Sequence, residues 1–110
     1  MGRFVKGDVV VVPFPFSDLS LSKRRPALVL ADLAGDDLIL CQITSQTVRD
    51  NYSLELLDSD FDSGGLHKPS NIRPNRIFTA DCHIVLYKTG SLKKEKTDFV
   101  IETLIEILKK

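Results

Sequence analysis

A short turn between two strongly apolar segments is the sequence feature that constrains the fold most. The segments are residues 26–31 and 38–43, and the six residues between them combine one glycine with three acids. Turn-forming residues between two apolar runs of strand length are typical of a β-hairpin. The sequence therefore predicts two antiparallel strands that lie side by side.

Other segments extend this pattern to a mainly β fold. Four valines at positions 9–12, bounded by Gly7-Asp8 and Pro13, predict a buried strand before the hairpin. Further strands are predicted at 52–56, 76–80 and 84–87, with a loop at 58–67. From 94 to 108 the apolar residues recur at helical spacing, with Glu95 in the first turn and lysines at the end. We expect a small, strongly bent antiparallel sheet with a C-terminal helix packed against it.

Length and charge limit the kinds of function that are possible. A chain of 110 residues has room for one core, so residues 1–110 are expected to form a single domain. Fifteen basic residues balance fifteen acidic ones, which excludes a broad positive field over the whole surface. A polyanion would have to bind a local patch, assembled from Lys23, Arg24, Arg25, Arg73 and Arg76 if the fold brings them together.

The two cysteines do not indicate a disulfide framework or a metal centre. Cys41 and Cys82 both lie in apolar stretches, where a small buried thiol fits, and they lack the paired spacing of a zinc site. Neither a metal nor another cofactor is expected. No stretch has the length of a signal peptide or a membrane span, so the expected location is cytoplasmic, with no membrane partner.

A cluster of cations precedes the first hairpin strand. Lys23, Arg24 and Arg25 run directly into Pro26. A side chain at the start of a core strand is held by a rigid scaffold, and the guanidinium of Arg25 can donate two hydrogen bonds to a phosphate. Thr44 ends the second hairpin strand, so the hairpin places it next to Arg25. The alternative is an ordinary solvated loop in which Thr44 only caps a turn.

The two histidines give weaker evidence of a functional site than Arg25 and Thr44. His67 lies in a glycine-containing loop near Lys68 and Arg73 and could donate to a phosphate or transfer a proton, but an exposed histidine without a function is the more common case. His83 follows Asp81, and a structural hydrogen bond to that carboxylate is the simplest expectation. Neither histidine belongs to the predicted site. Nucleophile elbows, Gly-rich phosphate loops and paired histidine ligands are also missing from the sequence.

The order of several short motifs resembles the MazF/PemK toxin family over nearly the whole chain. The motifs are Gly7-Asp8-Val9, Arg25-Pro26-Ala27-Leu28-Val29-Leu30, Gln42-Ile43-Thr44-Ser45 and Phe78-Thr79-Ala80-Asp81, followed by the helix. The resemblance implies a small SH3-like or CcdB-like barrel and a metal-independent, sequence-selective endoribonuclease. It also implies a homodimer and an antitoxin whose acidic, flexible tail covers the active site, with contact to DNA only through the antitoxin.

The resemblance also assigns site residues. Arg25 and Thr44 match the catalytic arginine and threonine of the family, the same pair that the hairpin brings together. Arg73 matches a second catalytic arginine of Kid-type members, but Asn75 stands where those members have an aspartate, so the general base is left open. The expected substrate-binding residues are Lys23, Arg24, Ser45, Gln46, Asn75 and Arg76.

The expected substrate is single-stranded RNA, whose ribose 2'-hydroxyl attacks the adjacent phosphorus and leaves a cyclic phosphate. Phe14 or Phe16 would stack on bases if exposed, although both are better explained as core residues. Loops 17–23 and 58–68 would select the cut sequence. Three alternatives remain: a gyrase poison on the same barrel, a noncatalytic SH3-like module that binds a peptide at the sheet edge, and an inactive member kept for antitoxin binding.

Overall fold

Strands account for most of the regular structure in the computed structural model, which describes residues 4–14 and 23–110. The described strands are β1 (Asp8–Phe14), β2 (Lys23–Asp32), β3 (Asp37–Thr44), β4 (Leu54–Leu56), β5 (Phe61–Gly64), β6 (Ser70–Asp81) and β7 (Tyr87–Leu92). Short 3-10 turns occupy Asp58–Asp60 and Cys82–Ile84, and the helix α1 runs from Lys94 to Leu108.

The seven described strands form one antiparallel sheet in the order β4-β6-β3-β2-β1-β7-β5. The register shifts within the β1–β7, β2–β3, β3–β6 and β5–β7 pairs. Such bulges bend a strand and increase its twist. The sheet accordingly curls into a half-barrel, which confirms the prediction of a small, bent, mainly β fold with a C-terminal helix.

Successive side chains of each strand point to opposite faces of the sheet, so each face carries part of the hydrophobic core. Val9 and Leu28 belong to the cluster that packs against Val100 of α1. Val10 and Ala27, their neighbours in sequence, belong to a second cluster on the other face. The valine run is therefore buried on both faces, as predicted, and the helix covers one of them. Within the described residues, no helix combines the length and apolar character needed to cross a membrane.

The predicted hairpin and helix are confirmed, but several other boundaries were wrong. The segment 58–67, predicted as a loop, contains β5, and the strand predicted at 76–80 begins already at Ser70. Of the strand predicted at 84–87, Ile84 ends the second 3-10 turn, residues 85 and 86 have no regular structure, and Tyr87 begins β7, which continues through Gly90. Glycine is uncommon in strands, so a local sequence pattern does not indicate a strand pair that contains glycines. The β5–β7 pair also forms between residues that are distant in the sequence.

Close backbone approach explains the glycines of the β5–β7 pair. Gly64 pairs with Gly90 and has a φ of +71°, a conformation that other residues rarely adopt. A Cβ at Gly64 would lie 2.2 Å from the carbonyl oxygen of Thr89, and one at Gly90 would lie 2.6 Å from the carbonyl oxygen of Ser63. The two strands can therefore meet at this point because both residues lack a side chain.

A buried carboxylate connects the start of β1 to β7. Asp8 is 3% exposed and accepts hydrogen bonds from the Val5 amide at 3.0 Å and from Ser91 Oγ at 3.1 Å. Lys88 Nζ lies 3.3 Å from the same carboxylate. The acid of the Gly7-Asp8-Val9 motif is thus satisfied by structural contacts.

Candidate active site

The register of the hairpin brings Arg25 and Thr44 to the same end of the sheet. Ala27 pairs with Gln42, and the same register extended by two residues sets Arg25 opposite Thr44. Residues directly opposite each other in an antiparallel pair extend their side chains from the same face. The hairpin turn lies at the other end of β2 and β3. The two residues are therefore neighbours, as the position of the turn predicted.

Arg25 and Thr44 line one cleft of about 360 Å³. The lining residues are Arg24, Arg25, Pro26, Ile43, Thr44, Ser45, Leu66, His67, Lys68 and Ser70. Three of these ten carry a permanent positive charge and none is acidic. We call this feature the cationic cleft. Its composition suits a bound phosphate group, which meets donors and cations without a competing carboxylate in the lining.

The Thr44 hydroxyl is held by its own turn. Thr44 is 8% exposed, and its Oγ1 accepts a hydrogen bond from the Gln46 amide at 3.1 Å. A hydroxyl that accepts one bond still has a proton to donate. The turn therefore fixes the oxygen at the cleft and leaves the O–H able to point at an oxygen of a ligand.

Arg25 has a fixed backbone and a longer side chain than Thr44. It is half-buried, and its backbone pairs with Val12 of β1. The central position of β2 in the sheet fixes the backbone, while the long side chain reaches the cleft lining. A guanidinium anchored in this way loses less conformational freedom on binding a phosphate than one on a mobile loop.

Arg73 lies on the neighbouring strand and is paired with an aspartate. It pairs with Gln42 in the β3–β6 ladder, and its Nη2 donates to Asp50 Oδ2 at 2.9 Å. Asp50 also accepts from the amides of Tyr52 at 2.9 Å and Ser53 at 3.1 Å. The Tyr52 amide, followed by the Arg73 guanidinium, lowers the pKa of the Asp50 carboxyl. The aspartate that accompanies Arg73 in this chain is therefore residue 50, a partner that the sequence did not reveal.

Several predicted site residues lie outside the cleft lining. Lys23 and Gln46 are exposed at its borders, and Gln46 contributes through its backbone amide to Thr44. Asn75 and Arg76 are exposed in a bulge of β6, between the pairs that join Arg73 to Gln42 and Ile77 to Cys41. The described structure gives no side-chain position for Phe14, and Phe16 and residues 17–22 fall outside the described ranges.

The far wall of the cleft was not predicted. Leu66, His67 and Lys68 reach it from the connection between β5 and β6, and Ser70 reaches it from the first position of β6. His67 was correctly expected to be exposed, yet it lies in the same cleft as Arg25 and Thr44. The sequence sets His67 near Lys68 and Arg73, but the two glycines before it do not say which strand the loop approaches.

Other polar groups lie at the opposite end of the sheet, beside the hairpin turn. His83 Nδ1 lies 2.6 Å from Asp81 Oδ1, which confirms the expected contact. Asp36, Cys82 and His83 bring possible ligand atoms within 4.8 Å of one another, a proximity that the cysteine spacing did not predict. Cys82 packs in an apolar cluster, and burial raises the pKa of the other thiol, Cys41, to about 12.

Comparison with known proteins identifies related sequences and folds. The family model for PemK-like, MazF-like toxins of type II toxin-antitoxin systems matches residues 5–108. A search of curated proteins found no match. Among solved structures, an endoribonuclease in complex with its cognate antitoxin from a mycobacterial species is similar, with a TM-score of 0.75 and 12% identity over 96% of this chain and 94% of the other.

Two further solved structures show the same fold. MazF from a MazE–MazF complex of Deinococcus radiodurans has a TM-score of 0.75 and 19% identity over 96% of each chain. The Mycobacterium tuberculosis toxin MazF-mt6 has a TM-score of 0.72 and 15% identity, over 93% of this chain and 96% of the other. At such low identity these structures establish the fold and leave the activity to be argued from the site.

Proposed function

The chain belongs to the family of PemK-like, MazF-like toxins of type II toxin-antitoxin systems, and from this premise we propose that it is a sequence-selective endoribonuclease that cleaves single-stranded RNA. One observation carries the proposal: Arg25 and Thr44 line a single cationic cleft without an acidic residue in its lining. Residues 1–110 are proposed to act as one toxin domain.

The proposed reaction uses a nucleophile that the RNA supplies. The ribose 2'-hydroxyl attacks the adjacent phosphorus, which releases a 5'-hydroxyl fragment and leaves a cyclic phosphate. Negative charge grows on the phosphoryl oxygens during this step, and preorganised donors stabilise it. Arg25 donates to these oxygens, and the Thr44 hydroxyl donates to a nonbridging oxygen. The proposed reaction needs no metal ion, because fixed donors supply the charge stabilisation.

The other predicted residues surround this pair. Arg73 adds positive charge from the adjacent strand, although a phosphate must compete with Asp50 for its guanidinium. Arg24 and Ser45 contact the backbone of the bound strand within the cleft. We assign Lys23, Gln46, Asn75 and Arg76, which are exposed beyond the lining, to nucleotides that flank the cut.

The same charges indicate how the toxin is restrained. Two of the similar structures were solved with an antitoxin. The proposed antitoxin of this chain places an acidic, flexible tail in the cationic cleft, where its carboxylates occupy the phosphate positions. Contact with DNA would pass through the antitoxin. The functional form is proposed to be a homodimer.

A cleavage assay tests the proposal. The purified protein is incubated with single-stranded RNA in the presence of a chelator. Arg25→Ala and Thr44→Val are each expected to lower the rate by about 10²-fold or more, since each removes a donor to the transition state. The matched controls are Lys109→Ala, at the exposed residue that follows α1, and Thr103→Val, at a half-buried position of α1. Neither residue lines the cleft, so the loss of a charge or a hydroxyl there should leave the wild-type rate unchanged.

The substrate provides the second arm. RNA with 2'-deoxyribose at the cut should not be cleaved, because the nucleophile is missing. Cleavage of that substrate would contradict the proposed chemistry. Growth arrest on expression without cleavage of any RNA would instead favour the gyrase-poison alternative. Loss of cleavage in the chelator would contradict metal independence and direct attention to Asp36, Cys82 and His83.

A further inference from the structure

The proposed reaction requires a group that accepts the 2'-hydroxyl proton. An arginine side chain remains protonated near neutral pH and has no site that can accept another proton, so Arg25 cannot take this role. The Asp50 carboxylate accepts three hydrogen bonds, including one from Arg73, and its pKa is lowered. Among the described residues that line the cleft, only His67 has a side chain of the kind that most often serves as a general base.

Resting on the proposed function, we infer that His67 is the general base of RNA cleavage. His67 lines the cationic cleft together with Arg25 and Thr44. The three residues come from different parts of the fold, His67 from the connection between β5 and β6 and the others from the hairpin. A phosphate bound between Arg25 and Thr44 therefore has an imidazole on the facing wall.

The backbone before His67 is anchored to β7. Gly65 donates its amide to the Thr89 carbonyl at 3.2 Å, and Thr89 Oγ1 donates to the Gly65 carbonyl at 2.7 Å. Gly64 passes so close to Thr89 that a side chain would collide. This reciprocal pair of hydrogen bonds fixes the point at which the chain leaves the sheet, two residues before the histidine.

The residues that flank His67 are anchored as well. Leu66 packs against the larger apolar cluster. Ser70, which is 5% exposed, donates its hydroxyl to the Lys68 carbonyl at 3.0 Å. An exposed histidine on a backbone held at both ends has a restricted range of positions. This property is what a proton-transfer group needs and what an ordinary surface histidine lacks.

The charges around His67 come from three elements. Arg24 and Arg25 of β2 line the same cleft as His67, and Lys68 lies next to it in the loop. His67 also lines a smaller depression of about 170 Å³ together with Asp58 of the first 3-10 turn. His67 therefore borders both the cationic cleft and a depression whose lining includes a carboxylate.

The step balances without a further reactant. The neutral imidazole of His67 accepts the proton of the 2'-hydroxyl while the 2'-oxygen forms a bond to phosphorus. The bond from phosphorus to the 5'-oxygen breaks, and the leaving oxygen takes a proton from water. The imidazolium then returns its proton to water before the next cleavage. Arg25 and Thr44 stabilise the phosphoryl oxygens throughout.

The chain offers a matched control, because it contains one other histidine. His67→Ala and His67→Gln are compared with His83→Gln, which changes a histidine bound to Asp81 at the far end of the sheet. We expect the His67 variants to cleave RNA about 10²- to 10⁴-fold more slowly, the range that general-base catalysis contributes. His83→Gln should retain the wild-type rate, and all three should unfold at the wild-type urea concentration.

The pH dependence of the cleavage rate distinguishes a catalytic role of His67 from a structural role. The wild-type rate should rise with pH as the general base loses its proton, and this rise should disappear in His67→Gln. Added imidazole should partly restore cleavage by His67→Ala. The affinity for RNA with 2'-deoxyribose at the cut should change less than about threefold, since the phosphate contacts remain.

A modified substrate decides between base and acid. When sulfur replaces the 5'-oxygen at the cut, the leaving group departs without a proton. The defect of His67→Ala should persist with this substrate, whereas recovery to the wild-type rate would overturn the assignment as base.

The two proposals fail in different ways. Wild-type protein that cleaves no RNA would refute the proposed function itself. Wild-type cleavage that depends on Arg25, with His67→Gln within about threefold of it and an unchanged pH profile, would refute the role of His67 alone.

Discussion

The pair formed by Asp50 and Arg73 is expected to contribute measurable stability that depends on pH. The perturbation is Asp50→Asn, which keeps an oxygen in place for the Tyr52 and Ser53 amides but removes the negative charge. The NH2 group that replaces Oδ2 cannot accept from the guanidinium, so the change removes both the charge and the hydrogen bond to Arg73. It leaves the shape of the loop and its backbone hydrogen bonds in place.

The size of the effect follows from the contacts and their exposure. A hydrogen bond to a charged group contributes about 1.5–3 kcal/mol when buried, and an exposed ion pair less than about 1 kcal/mol. The side chains of Arg73 and Asp50 are 18% and 25% exposed, so their pair lies between these limits. We expect Asp50→Asn to lower the free energy of unfolding by about 1–2 kcal/mol at pH 7.

The sign of the pH dependence follows from the lowered pKa of Asp50 in the folded protein. A depressed carboxyl pKa adds stability above the unfolded pKa of about 3.9. That stability is lost as the pH falls through the folded pKa. The difference between wild type and Asp50→Asn should therefore be complete at pH 7 and should shrink below about pH 4.

Urea unfolding at pH 7, 5 and 3 measures this difference. Asp62→Asn, at an exposed position of β5, is the matched control and should stay within about 0.5 kcal/mol of wild type. A double-mutant cycle with Arg73→Met should give a coupling energy of about 1 kcal/mol at pH 7. A loss in Asp50→Asn that is equally large at pH 3, or a coupling near zero, would refute the assignment of the stability to the ion pair.

Three further predictions concern packing and burial. Gly64→Ala combines a strained φ of +71° with a Cβ 2.2 Å from the Thr89 carbonyl, whereas Gly35→Ala has a similar φ of +79° and meets nothing within 4 Å. Urea unfolding should show a loss beyond the about 1–2 kcal/mol of backbone strain only for Gly64→Ala, and equal losses would contradict the clash. Asp8→Ala leaves three donors of a buried carboxylate unsatisfied, and thermal unfolding should report a loss of about 2–4 kcal/mol; a melting temperature equal to wild type would show that these contacts are not stabilising. Cys41, with a pKa of about 12, should resist iodoacetamide at pH 8 in the native protein and react in urea, as mass spectrometry would show.

The parts of the fold that could be predicted are those with local signals. The apolar segments around the 32–37 turn specify a hairpin by themselves, and the heptad-like spacing in 94–108 specifies the helix. Because the register of a hairpin follows from its turn, the proximity of Arg25 and Thr44 also follows from local information. One half of the cleft was therefore predictable before any tertiary contact was known.

The other half depends on pairing between residues far apart in the sequence. Strand β5 is short, contains Gly64, and exists because β7 lies beside it. Asp50 reaches Arg73 across 23 positions, and no spacing rule connects a loop aspartate to a particular arginine. The family resemblance indicates an aspartate at the position of Asn75 in β6, whereas the carboxylate that contacts Arg73 belongs to Asp50.

Mutations are expected to affect the two halves of the cleft differently. Arg25 and Thr44 depend on β2 and β3 at the centre of the sheet, whereas His67 depends on the glycine contact between β5 and β7 at its edge. Edge pairs open more readily than central ones, because fewer contacts hold them. Gly64→Ala should therefore displace the histidine while the phosphate-binding pair remains in place. Such a variant should still bind RNA but cleave it slowly. RNA binding is therefore expected to depend on the hairpin, which local sequence specifies, and cleavage to depend also on the long-range pairing of β5 with β7.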